Sequence, residues 1–348
     1  IEDHDVRIDP DEGIAGLVMK SGDPLLVRDI QRELRLSPVR AEKYATRSFI
    51  AVPIVRDGQV IGVLNAADKR DGQPFDFFEL EVLTTVGGYL SDSVARIAAR
   101  RREKELEAYR RDLETAAMIQ KYSLPSIPER VAGLEIATRY EACKDVGGDF
   151  YDLIYHSEDR ISLVMADVAG KGVPAALFME YSKTLLAGYI PRDLDPSTTL
   201  GRANTDMYRQ SRMGIFVTCM LIQVERELSR FRMASAGHNH QILLRRADHE
   251  IESLSGRGQP LGAFEGVEYP EKVVEFESGD LLVLYTDGVT EANNKALDEY
   301  GEERLFDMIQ VNAERHPGDL VQVLYEDINR FRAGFEASDD TTMMIIRL

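Results

Sequence analysis

Up to about residue 95 the chain alternates short apolar runs with polar turns. Phe49-Ile50-Ala51-Val52-Pro53-Ile54-Val55 and Val60-Ile61-Gly62-Val63-Leu64-Asn65 flank Arg56-Asp57-Gly58-Gln59, a pattern that predicts a β-hairpin around an Asp-Gly turn. Phe75-Asp76-Phe77-Phe78-Glu79-Leu80 then leads into a helix. From Glu79 to Tyr122 turn signals almost vanish, Gly87-Gly88 apart, and the run reads as one helix ending at Leu124-Pro125. Leu90, Val94 and Ile97 form one apolar stripe on it, and Leu106, Tyr109, Leu113 and Ala116 another. The nine-residue step from Ile97 to Leu106 fits no uninterrupted heptad, so a dimeric coiled coil and a helix packed on its own chain both stay open.

Beyond Pro128 strand-like runs dominate: Leu134 to Tyr140, Phe150 to Tyr155, Ile161 to Val168, Phe216 to Val224, Phe231 to Ser235, Gln241 to Arg245, Leu281 to Tyr285 and Met343 to Ile346. Two helical stretches, Ala175 to Tyr189 and Pro196 to Arg209, follow the third of them together. Strands in runs with helices inserted as a block predict an α+β fold, and disfavour the strict alternation of a doubly wound nucleotide-binding sheet. The expected organisation is a smaller domain over 1–95, a helical linker over 96–124 and a larger domain over 125–348.

Composition alters this little. Hydrophobic residues at 44% and charged ones at 29% are ordinary for a folded chain, and 348 residues exceed one typical domain. No apolar run approaches the ~20 residues that span a bilayer, so no membrane partner is expected. The opening IEDHDVRIDP lacks the features of a secretory signal, and the two cysteines, Cys143 and Cys219, show no metal-ligand spacing and read as ordinary core or near-core thiols. Both observations favour a reducing cytoplasm. A net charge of -18 repels nucleic acid and draws in small cations. The basic run Arg96, Arg100, Arg101, Arg102 and Lys104 is interleaved with Glu103, Glu105 and Glu107, as on a solvated helix face.

Candidate chemistry lies in the acids. Asp149 opens a strand, Asp167 ends the apolar run from Ile161, Asp287 follows the run from Leu281, and Asp339 and Asp340 open the last strand. Clustered carboxylates repel and raise one another's pKa unless a cation is present, and oxygen-only ligands suit Mg2+ or Mn2+. Two alternatives compete. Gly147-Gly148-Asp149 could belong to a cyclase signature, but Phe150 stands where its acid should follow. His238-Asn239-His240 could hold zinc, since residues two apart on a strand face the same way, yet no Cys-x-x-Cys partner exists.

The runs GGDFYD, MADVAGKG, YTDGVTEA and SDDTTMMII, in that order, with Ala236-Gly237-His238-Asn239 between the second and third, resemble the SpoIIE/RsbU-like branch of the metal-dependent (PPM) serine/threonine protein phosphatases. The resemblance spans about residues 118–348 and includes Ile119-Gln120, Leu124-Pro125, Gln259-Pro260-Leu261-Gly262 and Gly279-Asp280. It implies a β-sandwich flanked by helices, with two divalent cations, Mn2+ or Mg2+, at one sandwich edge. Asp149, Asp167, Asp287 and Asp339 are the implied catalytic metal ligands, Asp167 bridging; the Val168 carbonyl is a further ligand, and Asp340 binds directly or through water. Gly148, Gly170, Gly288 and His238 are expected to support this set from behind. Gly170 and Gly172 would turn the backbone close beneath the site, with Lys171 between them a solvated side chain. Lys144, five residues before Asp149, is the expected phosphate ligand, and Arg139 its competitor. The implied reaction is hydrolysis of phosphoserine or phosphothreonine on a protein by in-line attack of water, with no phosphoenzyme. The implied partner is a STAS-type antagonist of an anti-sigma factor.

Residues 10–97, with Gly13-Ile14-Ala15-Gly16 and Gly22-Asp23-Pro24-Leu25 ahead of the hairpin, resemble the C-terminal two thirds of a GAF domain, which is therefore expected to be N-terminally incomplete here. The resemblance implies a sensor for an unidentified small molecule or protein signal, acting through the helical linker, and a homodimer. Cyclic-nucleotide-binding members carry an Asn-Lys pair and a Phe followed by Asp-Glu, where this chain has Asn65-Ala66 and Phe75 followed by Glu79-Leu80. No cysteine lies in residues 1–97 to anchor a bilin, and the sole histidine there is His4. The rival to a phosphatase is a catalytically inactive sensor or pseudophosphatase, against which the full set of aspartates argues.

Overall fold

The structure is a computed structural model that describes residues 13–33, 46–192, 194–210 and 214–348; His4 lies outside them. Two compact units divide between Arg110 and Arg111.

In the first unit, α1 (Gly13–Ser21) precedes a three-stranded antiparallel sheet of β1 (Leu25–Val27), β2 (Phe49–Arg56) and β3 (Gln59–Ala67), in that spatial order. The expected hairpin forms: Asp57 and Gly58 both take positive φ, 51° and 78°, the primed turn that matches strand twist. Ile14 and Val18 of α1 pack on Val27, Phe49 and Ala51 of the sheet. The long helix α2 (Phe77–Ser123) starts in a capping box, with the Glu79 N–H donating to Asp76 Oδ1 at 3.2 Å and the Asp76 N–H donating to Glu79 Oε2 at 3.0 Å. Its stripe residues Leu90, Val94, Ile97, Leu106 and Tyr109 are exposed, Ile97 by 67%.

In the second unit, two antiparallel sheets face one another. The six-stranded sheet runs β11 (Ile251–Leu254), β10 (Gln241–Leu244), β13 (Leu281–Tyr285), β14 (Thr341–Arg347), β5 (Leu134–Glu141), β4 (Arg130–Val131). The five-stranded sheet runs β12 (Lys272–Glu275), β9 (Arg230–Ala236), β8 (Val217–Glu225), β7 (Arg160–Val168), β6 (Phe150–Tyr155). Ile136, Leu282, Leu284, Met344 and Ile346 from one sheet share a core with Phe150, Leu163, Met165 and Leu221 from the other. Helices α3 (Val173–Tyr189) and α4 (Pro196–Gln210) cover the outer face of the five-stranded sheet through Met179, Leu186, Leu200 and Met207. Helices α5 (Glu302–Val311) and α6 (Pro317–Arg332) cover the other side of the six-stranded sheet, where Leu305, Ile309, Leu320 and Leu324 meet Val283 and Ile345.

This is the helix-flanked β-sandwich expected of an α+β chain. Its unforeseen parts are α5, α6 and the short strands β4, β11 and β12. The last three have at most four residues each, too few to show a period of two above the polar loops around them.

Candidate metal centre

The catalytic candidates collect at one end of the sandwich because of strand polarity. Asp149 precedes β6 and Asp167 sits one residue from the end of the adjacent antiparallel strand β7. In the other sheet, Asp287 opens a 3-10 turn after β13, while Asp339 and Asp340 lead into its antiparallel neighbour β14. Antiparallel pairing brings the end of one strand to the start of the next, so four distant segments supply acids to one edge.

Hydroxyls staple the two sheets at Asp149. The carboxylate is 1% exposed, and its Oδ2 accepts hydrogen bonds from Thr286 Oγ1 and Thr342 Oγ1, both at 2.6 Å. The Thr342 N–H in turn donates to Thr286 Oγ1 at 3.2 Å. Burial, then the charges of Asp167 and Asp340, hold the Asp149 carboxyl well above the usual carboxylate range, against the opposing pull of the two threonines. Asp167 is shifted up by burial and then by Asp287 and Asp339, and Asp287 by burial and then by Asp339.

Asp340, whose charge acts on Asp149 and Asp167, also reaches into the loop before Asp149. Its Oδ1 accepts from the Cys143 N–H at 2.8 Å and its Oδ2 from the Gly148 N–H at 2.6 Å, so one carboxylate pins both ends of the 143–148 segment. Gln120, near the end of α2, grips the same segment from the other side: Nε2 donates to the Gly147 carbonyl at 2.7 Å and Oε1 accepts from the Gly147 N–H at 3.0 Å. The glycines are required by proximity. A Cβ on Gly148 would lie 2.9 Å from the Val168 carbonyl oxygen, and one on Gly288 would overlap the Asp340 carbonyl.

The 170–172 loop differs from the sequence expectation. Gly170 and Gly172 take positive φ, 101° and 77°, as a turn from β7 into α3 requires. Lys171, expected to be merely solvated, has its Nζ 2.6 Å from Asp339 Oδ2 and also donates to the Ser338 carbonyl. The correction has a simple cause: the loop faces the 338–340 segment, and an ammonium there finds an acid and a carbonyl together.

His238 is buried, and its Nδ1 is 2.8 Å from Thr218 Oγ1. Thr218 is the ladder partner of Asp167, with its hydroxyl 3.5 Å from the Asp167 carbonyl. Burial drives the imidazole pKa down to about 3, so it is neutral. The zinc alternative does not form. Residues 238–240 are not strand, and the half-exposed His240 ring turns instead to Glu302, 3.9 Å away.

Lys144 is exposed. Arg139 lies on β5 with its guanidinium 3.7 Å above the Tyr325 ring. Cys143 departs from an ordinary core thiol, since its Sγ and one oxygen each of Asp339 and Asp340 lie within 4.8 Å of one another. Burial and then the Asp340 charge push its thiol up to about 11, which keeps it protonated at neutral pH. Sequence reasoning gave no role to Thr286, Thr342 or Gln120. The signal was a hydroxyl directly before Asp287 and another shortly after Asp339.

Asp149, Asp167 and Asp287, whose carboxyls burial and neighbouring charge shift upward, offer only oxygen together with Asp339, and such a set suits a hard divalent cation, which offsets that repulsion. The residues present therefore fit a metal centre.

Comparison with known proteins gives the same architecture a lineage. A family model described as stage II sporulation protein E matches residues 157–348, and a GAF domain model matches residues 2–94. The chain is 26% identical over 238 residues to the phosphoserine phosphatase RsbU of Bacillus subtilis, covering 68% of this chain and 70% of that protein. Phosphoserine phosphatase RsbP of the same organism is 25% identical, with 68% and 58% covered, so this chain spans little more than half of that relative. Among solved structures, the SiaA PP2C domain of Pseudomonas aeruginosa superposes with a TM-score of 0.62 at 21% identity, over 70% of this chain and 98% of that one. A fragment of SpoIIE from Bacillus subtilis that contains its PP2C phosphatase domain gives 0.56 at 18%, covering 62% and 63%. At those identities the two structures speak to fold alone. The family match covers more than half of the chain, which belongs to the SpoIIE family and joins a PP2C-type phosphatase domain to an N-terminal GAF domain.

Proposed function

We propose that this chain is a metal-dependent phosphoprotein phosphatase acting on phosphoserine or phosphothreonine of a partner protein. The observation that carries the reading is the buried carboxylate set at the sandwich edge, with Asp149 held between two threonine hydroxyls and Asp167 beside it. Asp149, Asp167, Asp287 and Asp339, with the Val168 carbonyl, would hold two Mn2+ or Mg2+ ions. When bound, such ions lower the pKa of a water molecule and offset charge on the phosphoryl oxygens.

The protein's own residues do the positioning. Thr286 and Thr342 fix the Asp149 carboxylate, Asp340 and Gln120 fix the loop that carries it, and the Gly148 approach to Val168 keeps the carbonyl close to that loop. Thr218 links Asp167 to the neutral ring of His238. Hydrolysis of para-nitrophenyl phosphate with Mn2+, run beside Asp167→Asn and Asp287→Asn, tests the chemistry. No metal-dependent turnover in the parent would favour an inactive binding module.

The similarity to RsbU and RsbP supports a STAS-type anti-sigma-factor antagonist as the partner, in a cytoplasmic partner-switching system. Regulation would pass from the GAF domain along α2 to Gln120 and so to Gly147. The exposed stripe on α2 suits pairing with a second copy, giving a homodimer. No described helix is long and apolar enough to cross a membrane.

A further inference from the structure

We propose that Lys171, rather than Lys144, is the cation that receives the substrate's phosphate, and that Asp339 holds it at the mouth of the site. The inference deepens the phosphatase reading and rests on it. Among the described residues, Lys171 is the lysine whose ammonium reaches an acid of the cluster: its Nζ lies 2.6 Å from Asp339 Oδ2 and is tethered to the Ser338 carbonyl. Its side chain is 37% exposed, so the ammonium borders both the acids and solvent. Lys144 is exposed, and Arg139 is committed to the face of Tyr325.

Charge balance gives the direction. Two divalent ions would neutralise the four charges of Asp149, Asp167, Asp287 and Asp339, leaving Asp340 as the acid whose charge still acts on Lys171. The Asp339 oxygen that accepts from Lys171 would then serve a stronger cation, and the ammonium would lose that direct ion pair while keeping its Ser338 tether. A phosphate monoester dianion bound beside the ammonium would take the place of Asp339 through a charge-assisted hydrogen bond. The same swap makes Lys171 a competitor of the divalent ion for Asp339. Its glycine neighbours let the short loop shift, since neither has a heavy atom within 4 Å of where a Cβ would stand.

The test uses the full chain, with Lys171→Met, Lys171→Arg and Lys144→Met. Mn2+ binding is followed by electron paramagnetic resonance, and inorganic phosphate binding to the Mn2+-loaded protein by calorimetry. Lys171→Met is expected to bind Mn2+ more tightly and phosphate about tenfold more weakly, as the loss of one charged hydrogen bond requires, with Lys171→Arg restoring both. Unchanged phosphate affinity in Lys171→Met, or a loss in Lys144→Met alone, overturns the proposal whatever happens to Mn2+. Absence of Mn2+ binding in the parent would instead overturn the metal reading beneath it.

Discussion

At Asp149 two hydroxyls and a neighbouring carboxylate act in opposite directions on one buried charge. Thr286 and Thr342 favour the ionised form, while burial and Asp167 oppose it. Removing one hydrogen bond to a buried carboxyl costs about 0.5–1.5 kcal/mol, so Thr342→Val should lower the unfolding free energy by about 1 kcal/mol and Thr342→Ser by much less. Urea denaturation of the Mn2+-free protein measures the difference. The pH dependence has a definite sign. Asp149, Asp167 and Asp287 titrate above 3.8 in the folded chain, so the native state retains protons that the unfolded chain has released. Stability from this source is complete below pH about 4 and is lost as pH rises through the raised values. A metal ion must displace those protons, so Mn2+ affinity should climb from pH 5 into the neutral range, about tenfold per unit for each proton displaced. Calorimetry in buffers of different ionisation enthalpy counts the protons, and a flat affinity over this range contradicts the shifts.

Among the elements, the 143–148 loop is the joint where several devices meet. Asp340 clamps it through Cys143 and Gly148, and Gln120 brings the end of α2 to Gly147. Asp340→Ala leaves the buried Gly148 N–H and the part-buried Cys143 N–H unpaired and should cost about 2–3 kcal/mol. Gln120→Ala, by contrast, should leave the sandwich folded, speed amide exchange at Gly147 and Gly148, and lower kcat/KM about tenfold. Hydrogen exchange by mass spectrometry separates the two effects. Much of this level was legible in the sequence: the hairpin at Asp57-Gly58, the long helix and eight sandwich strands follow from period and turn chemistry. What was not legible depends on contacts across the fold. The sequence reading takes Lys171 as solvated because no local pattern brings Ser338 and Asp339 to it, and it leaves Thr286 without a role because its partner, Asp149, is 137 residues away.

For the whole molecule, the proposed coupling makes α2 both a spacer and a messenger. The proposed dimer would form on the exposed Leu90, Val94 and Ile97 of α2, so Ile97→Asp should shift sedimentation toward the monomer while leaving Mn2+ binding intact. The domain order and the aspartate motifs were readable from the chain, since each motif keeps its own local text. Their convergence was readable only through the resemblance, because it is made by antiparallel pairing across two sheets.

The most direct test of the central claim is phosphate release from a phosphoserine-bearing STAS protein during an Mn2+ titration, with Asp167→Asn as control. The account predicts release that saturates with Mn2+ and falls about a thousandfold or more in the variant, as expected when the ions that offset charge on the phosphoryl group are lost. Release that is independent of Mn2+, or equal in Asp167→Asn, would contradict it.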